Sequence, residues 1–396
     1  MIPRFKPTLG WDEFAALFRR NTGAVEQFEK EFAKAFHAVD AVAFPYGRSA
    51  QWAFFNAVGL KNAEIIMPAY TCSVVAHAIT LSGNRPRFID ICIDDYNMNL
   101  DLVVASINEH TRAIIATHTF GYPQNIDKLE EIVRLGEARY GNKIWLMQDC
   151  CHAFGATWNG RLIGTSGDVA VYAFNISKLI TSIFGGMLTF QDQKLATKLR
   201  QWRNNLYAKP NILKSILRRL YLLSIYIAFN EKIYGMTWWL QEKSSLLNRF
   251  TKSYHLDEKI HFPPDYLERM LDVEAAVGLV QLERYTSIIA TRRKNAEYYD
   301  KHLRRRENWK FPRISDGATY SHYVVQVPDR KQTVNEFAKK DIQLGELIQY
   351  CIPDIDGYQQ LEQRCPIAEA SSKHTINFPL TLDDVSKICA ANDQSV

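Results

Sequence analysis

Six short β-type runs alternate with helical ones through the first half of the chain, and this alternation restricts the fold more than any other feature. The runs are "AVAF" (41–44), "EIIMP" (64–68), "RPRFIDI" (85–91), "AIIATH" (113–118), "IWLMQD" (144–149) and "VAVYAF" (169–174). Helical patterns such as "SAQWAFFNAVGL" (49–60) and "NIDKLEEIVRLGEARYG" (125–141) lie between them. Strands alternating with helices imply an α/β fold whose sheet is mostly parallel and covered by helices on both faces. Ligands of such sheets bind beyond the carboxyl ends of the strands.

That rule sorts the polar residues. "GRSA" (47–50) follows the first run and opens a helix, Asp149 ends the fifth run, and Lys178 follows the sixth. All three fall at one edge of the sheet. Lys178 stands in "AFNISKLITSIFGGMLTF" (173–190), between apolar residues and ahead of a glycine pair. A lysine there is costly to desolvate. An amine that loses its charge in an apolar site becomes a nucleophile able to form a Schiff base with an aldehyde. Asp149 is placed to pair with the ring nitrogen of pyridoxal phosphate. Gly47, Arg48 and Ser49 offer backbone N–H groups, a guanidinium and a hydroxyl where a helix N-terminus favours phosphate. Each piece has an ordinary alternative as a surface lysine, a common turn or a helix cap.

The second half changes character. "RMLDVEAAVGLVQLERYTSIIATRRKNAEYYDKHL" (269–303) has the periodicity of a long helix, and "TVNEFAKKDIQLGELI" (333–348) begins as one. "HYVVQVP" (322–328) and "HTINFPL" (374–380) read as strands of a smaller α/β domain packed back on the first. With 396 residues, 47% of them hydrophobic and 23% charged, the chain can bury a large core. Its start, "MIPRFKPTLGWDEF", lacks the pattern of a secretory signal, so a cytoplasmic location is expected. Seven cysteines over this length do not form a disulfide framework. Cys150 and Cys151 precede His152 without a second Cys/His pair at zinc spacing, so no metal site is expected.

The net charge of +5 is unevenly placed. No Asp or Glu occurs from Gln193 to Asn230, whereas Lys194, Lys198, Arg200, Arg203, Lys209, Lys214, Arg218 and Arg219 all do. The surface there is expected to attract anions. Within 212–250, Leu220 to Phe229 is apolar apart from Ser224. This run is too short for a bilayer, which needs about 20 residues. It fits a helix lying on an anionic membrane surface, at the inner face of the membrane. It fits equally a hairpin buried against the protein or its dimer mate. Its aliphatic density argues against nucleic acid.

The run "QDCCHAFGATWNGRLIGTSGDVAVYAFNISKLITSIFGGMLTF" (148–190) resembles the core signature of the DegT/DnrJ/EryC1/StrS aminotransferases, pyridoxal phosphate enzymes of fold type I. The similarity continues in "GAVEQFEKEFAKAF" (23–36), "MPAYTCSVVAHAITLSGNRPRFIDI" (67–91), "THTFGYPQNID" (117–127), "RMLDVEAAVGLVQLERY" (269–285) and "CPIAEASSKHTINFPL" (365–380). It covers nearly the whole chain apart from roughly 205–262. The resemblance implies a large cofactor-binding domain over 1–204, a helical basic and apolar insert over 205–262, and a smaller α/β domain over 263–396.

It also implies residue roles. Lys178 falls on the Schiff-base lysine and Asp149 on the partner of the pyridine nitrogen. His152 takes the place of a glutamine that hydrogen-bonds the cofactor's phenolic oxygen. Gly47, Arg48 and Ser49 fall on the phosphate-binding turn, and Cys72 stands where many members place an aromatic ring against the cofactor. Ala173 replaces a serine, and Leu267 an asparagine crossing from the partner subunit, that reach the phosphate in many members. Arg48 and Asn175 are the expected replacements. A branch that removes a sugar hydroxyl carries histidine at the lysine position, so Lys178 favours amine transfer.

The implied activity moves an amino group from an amino acid, glutamate being the expected donor, to a nucleotide-linked or lipid-linked keto-sugar for cell-surface glycans or secondary metabolites. The implied assembly is a homodimer. Two other readings compete: amination of a non-sugar ketone such as a cyclitol or lipid-linked carbonyl compound, and a catalytically idle membrane-associated scaffold or sensor.

Overall fold

The computed structural model describes residues 1–19, 21–230, 233–243, 260–382 and 384–393. Strands β1 (Asp40–Phe44), β2 (Glu64–Pro68), β3 (Arg85–Ile89), β4 (Thr111–Thr117), β5 (Trp145–Asp149), β8 (Val169–Ala173) and β9 (Gly186–Phe190) form one sheet in the order β1-β9-β8-β5-β4-β2-β3. A two-stranded hairpin, β6 (Thr157–Trp158) and β7 (Arg161–Leu162), lies outside it. The pairs β2–β3, β2–β4, β4–β5 and β5–β8 are parallel. Continuous apolar stretches such as Ile65–Met67 and Ala113–Ala116 are fully buried, as expected of strands covered on both faces.

β9 is the departure. The sequence reading placed no strand at 186–190, yet β9 runs antiparallel between β8 and β1. A return from β8 through one loop needs no crossover helix, so antiparallel pairing is the short route. This loop carries Lys178.

The Asp272–His302 helix lies against the Ala24–Ala35 helix at Gly278, where an added Cβ would fall 2.7 Å from the Phe28 ring. Beyond it, β10 (Tyr323–Gln326) and β11 (Thr375–Phe378) form an antiparallel pair. The chain start runs beside this half: Ile2 donates to Asp341 O at 2.7 Å, and Gln343 donates back to Ile2 O at 2.9 Å.

The segment expected as an insert leaves and returns at one point, closed by Ala208 N–H to Leu267 O and Arg269 N–H to Ala208 O, both 2.9 Å. Its first helix, Ile212–Ala228, is capped by Asn211 Oδ1, which accepts from Lys214 N at 2.7 Å. A second helix spans Tyr234–Lys243. Residues 231–232 and 244–259 of the predicted insert lie outside the described residues. No helix among the described residues is long and apolar enough to cross a membrane.

Much of the expected anion-attracting charge is neutralised by distant acids. Arg200 pairs with Asp40 and Glu29, and Arg203 with Glu29. Lys214 pairs with Asp265 and Glu268, and Arg218 with Asp265 and Glu274. A stretch without acids is therefore not a surface without acids. Lys194, Lys198 and Lys209 remain exposed, and Arg219 is half-buried.

Candidate active site

Lys178 reaches the site because its neighbours anchor the loop. Leu179, Ile180 and Ile183 are buried in the cluster that holds Phe28 and Phe174. Phe174 N donates to Gly185 O at 3.0 Å, and Ser182 N and Thr181 Oγ1 donate to Phe174 O at 3.0 and 3.2 Å. Asn175 Oδ1 accepts from Ser177 N and Ser177 Oγ at 3.1 and 2.6 Å. The apolar residues around Lys178 are thus the loop's foundation. The lysine itself is half-buried and faces a cleft.

The glycine pair has a steric cause. A Cβ on Gly186 would fall 2.5 Å from the Tyr46 carbonyl carbon and 2.6 Å from Gly47 N. Only a bare backbone lets the start of β9 lie against the turn that opens the Gly47–Ala57 helix. A Cβ on Gly47 would in turn meet the Ala173 Cβ at 2.8 Å. The turn is clamped between the ends of β8 and β9.

The cleft is lined by Gly47, Arg48, Cys72, Asp149, His152, Asn175 and Lys178, together with Tyr46, Gln51, Thr71, Val74, Val75, Thr117, Cys151, Ala173, Phe184 and Gly185. Seven of the eight residues named from the sequence therefore converge. Ser49 does not line it: the residue is buried behind Arg48 with its Oγ unpartnered. Asp149 is buried and accepts from Thr117 Oγ1 and Cys151 N, each at 3.1 Å. The Arg48 guanidinium sits 5.5 Å from the centroid of the Tyr46 ring.

His152 is buried, and its ring lies near those of Phe120 (6.3 Å, 12° between planes) and His322 (5.7 Å). Burial first, then the charges of Lys178 and His322, holds His152 well below the usual imidazole range. It is a neutral ring, and its Nδ1 is buried without a partner. Burial, followed by the Asp149 charge, pushes the Cys150 and Cys151 thiols up. They remain protonated, and no group of three metal-ligating side chains occurs among the described residues.

Several site residues escaped the sequence reading. Gln51 shares a helix face with Gly47 and Arg48 by its spacing, and its Oε1 is buried without a partner. Thr117 ends β4 beside Asp149 and was legible from strand-end logic. His322 comes from the distant second half and carried no local signal. Phe184 and Tyr46 flank the glycine contacts and had the look of core aromatics.

The residues present fit pyridoxal phosphate. Gln51 Oε1 and His152 Nδ1 are unpartnered polar atoms on lining residues, and Ser49 Oγ is a third behind the turn. A helix N-terminus with a bare glycine offers phosphate contacts. An amine and a fixed carboxylate share the same cleft.

Comparison with known proteins agrees with this geometry. The model of the DegT/DnrJ/EryC1/StrS aminotransferase family matches residues 17–236 and 239–391, including much of the segment expected to fall outside the resemblance. The chain is 24% identical over 375 residues to a GDP-perosamine synthase from Escherichia coli O157:H7, covering 92% of this chain and 88% of that one. The sugar aminotransferase CalS13 from Micromonospora echinospora has the same fold, with a TM-score of 0.79, 21% identity and complete coverage of both chains. So does the E. coli GDP-4-keto-6-deoxy-D-mannose-3-dehydratase with bound hydrated PLP, with a TM-score of 0.73, 20% identity and coverage of 99% and 98%.

Proposed function

The chain belongs to the DegT/DnrJ/EryC1/StrS aminotransferase family, and on that premise we propose that it is a pyridoxal phosphate enzyme transferring an amino group from glutamate to the ketone of a nucleotide-linked or lipid-linked sugar. The observation that carries this reading is the convergence of Lys178, Asp149 and the Gly47–Arg48 turn on one cleft.

Bound pyridoxal phosphate supplies an aldehyde that captures amines and a ring that takes up the electron pair left when a Cα–H bond breaks. Lys178 Nζ would hold the aldehyde carbon between turnovers, then take the substrate's Cα proton as base and return it as acid to the former aldehyde carbon, two atoms along. Asp149 would keep the ring nitrogen protonated through a carboxylate already fixed by Thr117 Oγ1 and Cys151 N. His152 would hydrogen-bond the ring hydroxyl. Arg48, Asn175 and the first N–H groups of the Gly47–Ala57 helix would hold the phosphate, with Ser49 behind them. Val74, Val75 and Cys72 would cover a ring face with apolar and sulfur surface.

The same proposal includes the division at 204 and 262, a homodimer, and a cytoplasmic enzyme resting on the inner face of a membrane. Keto-sugars on polyprenyl carriers, or products passed to membrane glycosyltransferases, would suit that last feature. The amination reading is tested on the purified, cofactor-loaded protein. Glutamate should discharge the visible absorbance, and the amine-loaded protein should then transfer nitrogen to one member of a panel of nucleotide- and lipid-linked keto-sugars, followed by mass spectrometry. Lys178→Ala should show neither the absorbance nor turnover. Normal turnover by that variant would overturn the assignment.

A further inference from the structure

The Ile212–Ala228 helix carries apolar residues outward as well as inward. A surface helix ordinarily turns its apolar stripe inward. Here Ile212, Leu213, Ile216, Leu217, Leu220 and Ile227 are exposed, five of them by more than half, whereas Leu222 is fully buried. At about 100° per residue these six, with Ser224, occupy one arc of about 140°. The cationic side chains Lys214 and Arg218 lie on the other side, in ion pairs with Asp265, Glu268 and Glu274. The helix is therefore fastened to the protein by these ion pairs and by the packing of Leu222, Tyr221, Ile225 and Tyr226, and it turns a second, aliphatic face outward. Met236 on the following helix adds to the exposed apolar surface, at 59% exposure.

We infer that this face lies on an anionic phospholipid surface, which gives the membrane reading above its contact residues. Charge complementarity decides the occupant. Lys209 precedes the helix and is exposed, Arg219 borders the apolar arc, and neither has an acidic partner among the described residues. A second copy docking by twofold symmetry would bring a second Lys209 and a second Arg219 into the same interface, an accumulation of like charge that disfavours the contact. Anionic headgroups complement Lys209 and Arg219, and acyl chains accept the aliphatic arc. No covalent step is involved.

The test is co-sedimentation of the full, cofactor-loaded protein with vesicles of phosphatidylcholine alone and of phosphatidylcholine with phosphatidylglycerol. The mixed vesicles should bind about tenfold more protein, and added salt should weaken the binding. Ile216→Gln with Leu220→Gln should reduce it about tenfold, and Lys209→Gln with Arg219→Gln should abolish the preference for phosphatidylglycerol. Discharge of the visible absorbance by glutamate should be unchanged in every variant, which separates this inference from the aminotransferase reading. Equal binding of parent and Ile216→Gln/Leu220→Gln overturns it. So does a fall in oligomer size in that variant by light scattering without lipid, since the face would then belong to a second copy. A milder pair, Ile212→Ser with Leu213→Ser, repeats the test if the first variant melts early.

Discussion

The guanidinium of Arg218 lies 4.1 Å from the ring centroid of Phe184 and donates to Tyr46 Oη at 2.8 Å. Both contacts are with walls of the cleft, and Tyr46 is the residue before the turn proposed to hold the phosphate. Tyr46 Oη donates to Asp265 at 2.8 Å, so the hydroxyl is fixed at both ends. One side chain of the Ile212–Ala228 helix thus holds Tyr46 and Phe184 together. A desolvated cation over an aromatic face is worth up to about 2 kcal/mol. The Ile212–Ala228 helix is part of the site's scaffold, through the face opposite its aliphatic arc.

Replacing Arg218 by Met should loosen the turn. Cofactor affinity should fall about tenfold, the effect of roughly 1.4 kcal/mol, while kcat at saturating cofactor changes little, because Arg218 touches neither Lys178 nor Asp149. Fluorescence titration with pyridoxal phosphate, set beside steady-state rates, makes the distinction. Stability at pH 8 should fall by about 3 kcal/mol, since buried Glu274 loses its cation. Adding Glu274→Gln should recover most of that stability and none of the cofactor affinity.

Glu274 gives the protein a pH signature. Burial, only partly offset by Arg218, pushes its carboxyl up to about 7. Between pH 4.5 and 7 the folded state keeps a proton that the unfolded chain has released. The contribution is therefore complete below pH 4.5 and lost as the pH rises through 7. Relative to Glu274→Gln, the parent should lose up to about 3 kcal/mol of unfolding free energy across this window. Urea titrations of both proteins at pH 5 and pH 8 would measure it, and an equal difference at the two pH values contradicts the assignment.

Gly186→Ala tests the clamp on the phosphate turn. The added methyl would fall on backbone atoms of Tyr46 and Gly47, which cannot swing aside as a side chain could. Overpacking of this kind costs about 1–3 kcal/mol or more. Weaker cofactor binding should accompany the lower melting temperature, because the displaced atoms belong to the turn itself. Gly59→Ala is a control: its Cβ meets nothing within 4 Å, so its positive φ alone should act, on stability without cofactor affinity.

The parallel part of the sheet was legible because each strand is a short apolar run bounded by helix or turn signals. Asp149, Lys178 and Gly47 were legible because strand ends in such sheets share one edge. β9 was hidden because "GMLTF" follows a loop rather than a helix, so nothing in its pattern separates a strand from buried loop. The paired state of Lys214 and Arg218 was hidden for another reason: their acids lie about fifty residues further on, at Asp265, Glu268 and Glu274. Local composition reports charge along the chain, and the fold decides which charges meet. His322 shows the same limit from the side of function, since it reaches His152 only when the second half packs against the first.

His152 yields the last prediction. Its ring is neutral because burial and the neighbouring Lys178 charge both oppose protonation, and because His322, itself held low by burial and by Arg292, has no proton to give it at neutral pH. A neutral imidazole that only hydrogen-bonds the cofactor can be replaced by an amide of similar reach. His152→Gln should therefore keep kcat within about threefold of the parent, the scale of one neutral hydrogen bond altered in length. Its kcat/KM profile from pH 6 to 8 should superimpose on the parent's. His152→Phe keeps the ring beside Phe120 but removes both nitrogens, and should lower cofactor affinity and shift the bound cofactor's absorbance maximum. A limb between pH 6 and 7 that disappears in His152→Gln would show that the ring ionises during turnover, and the neutral role would fail.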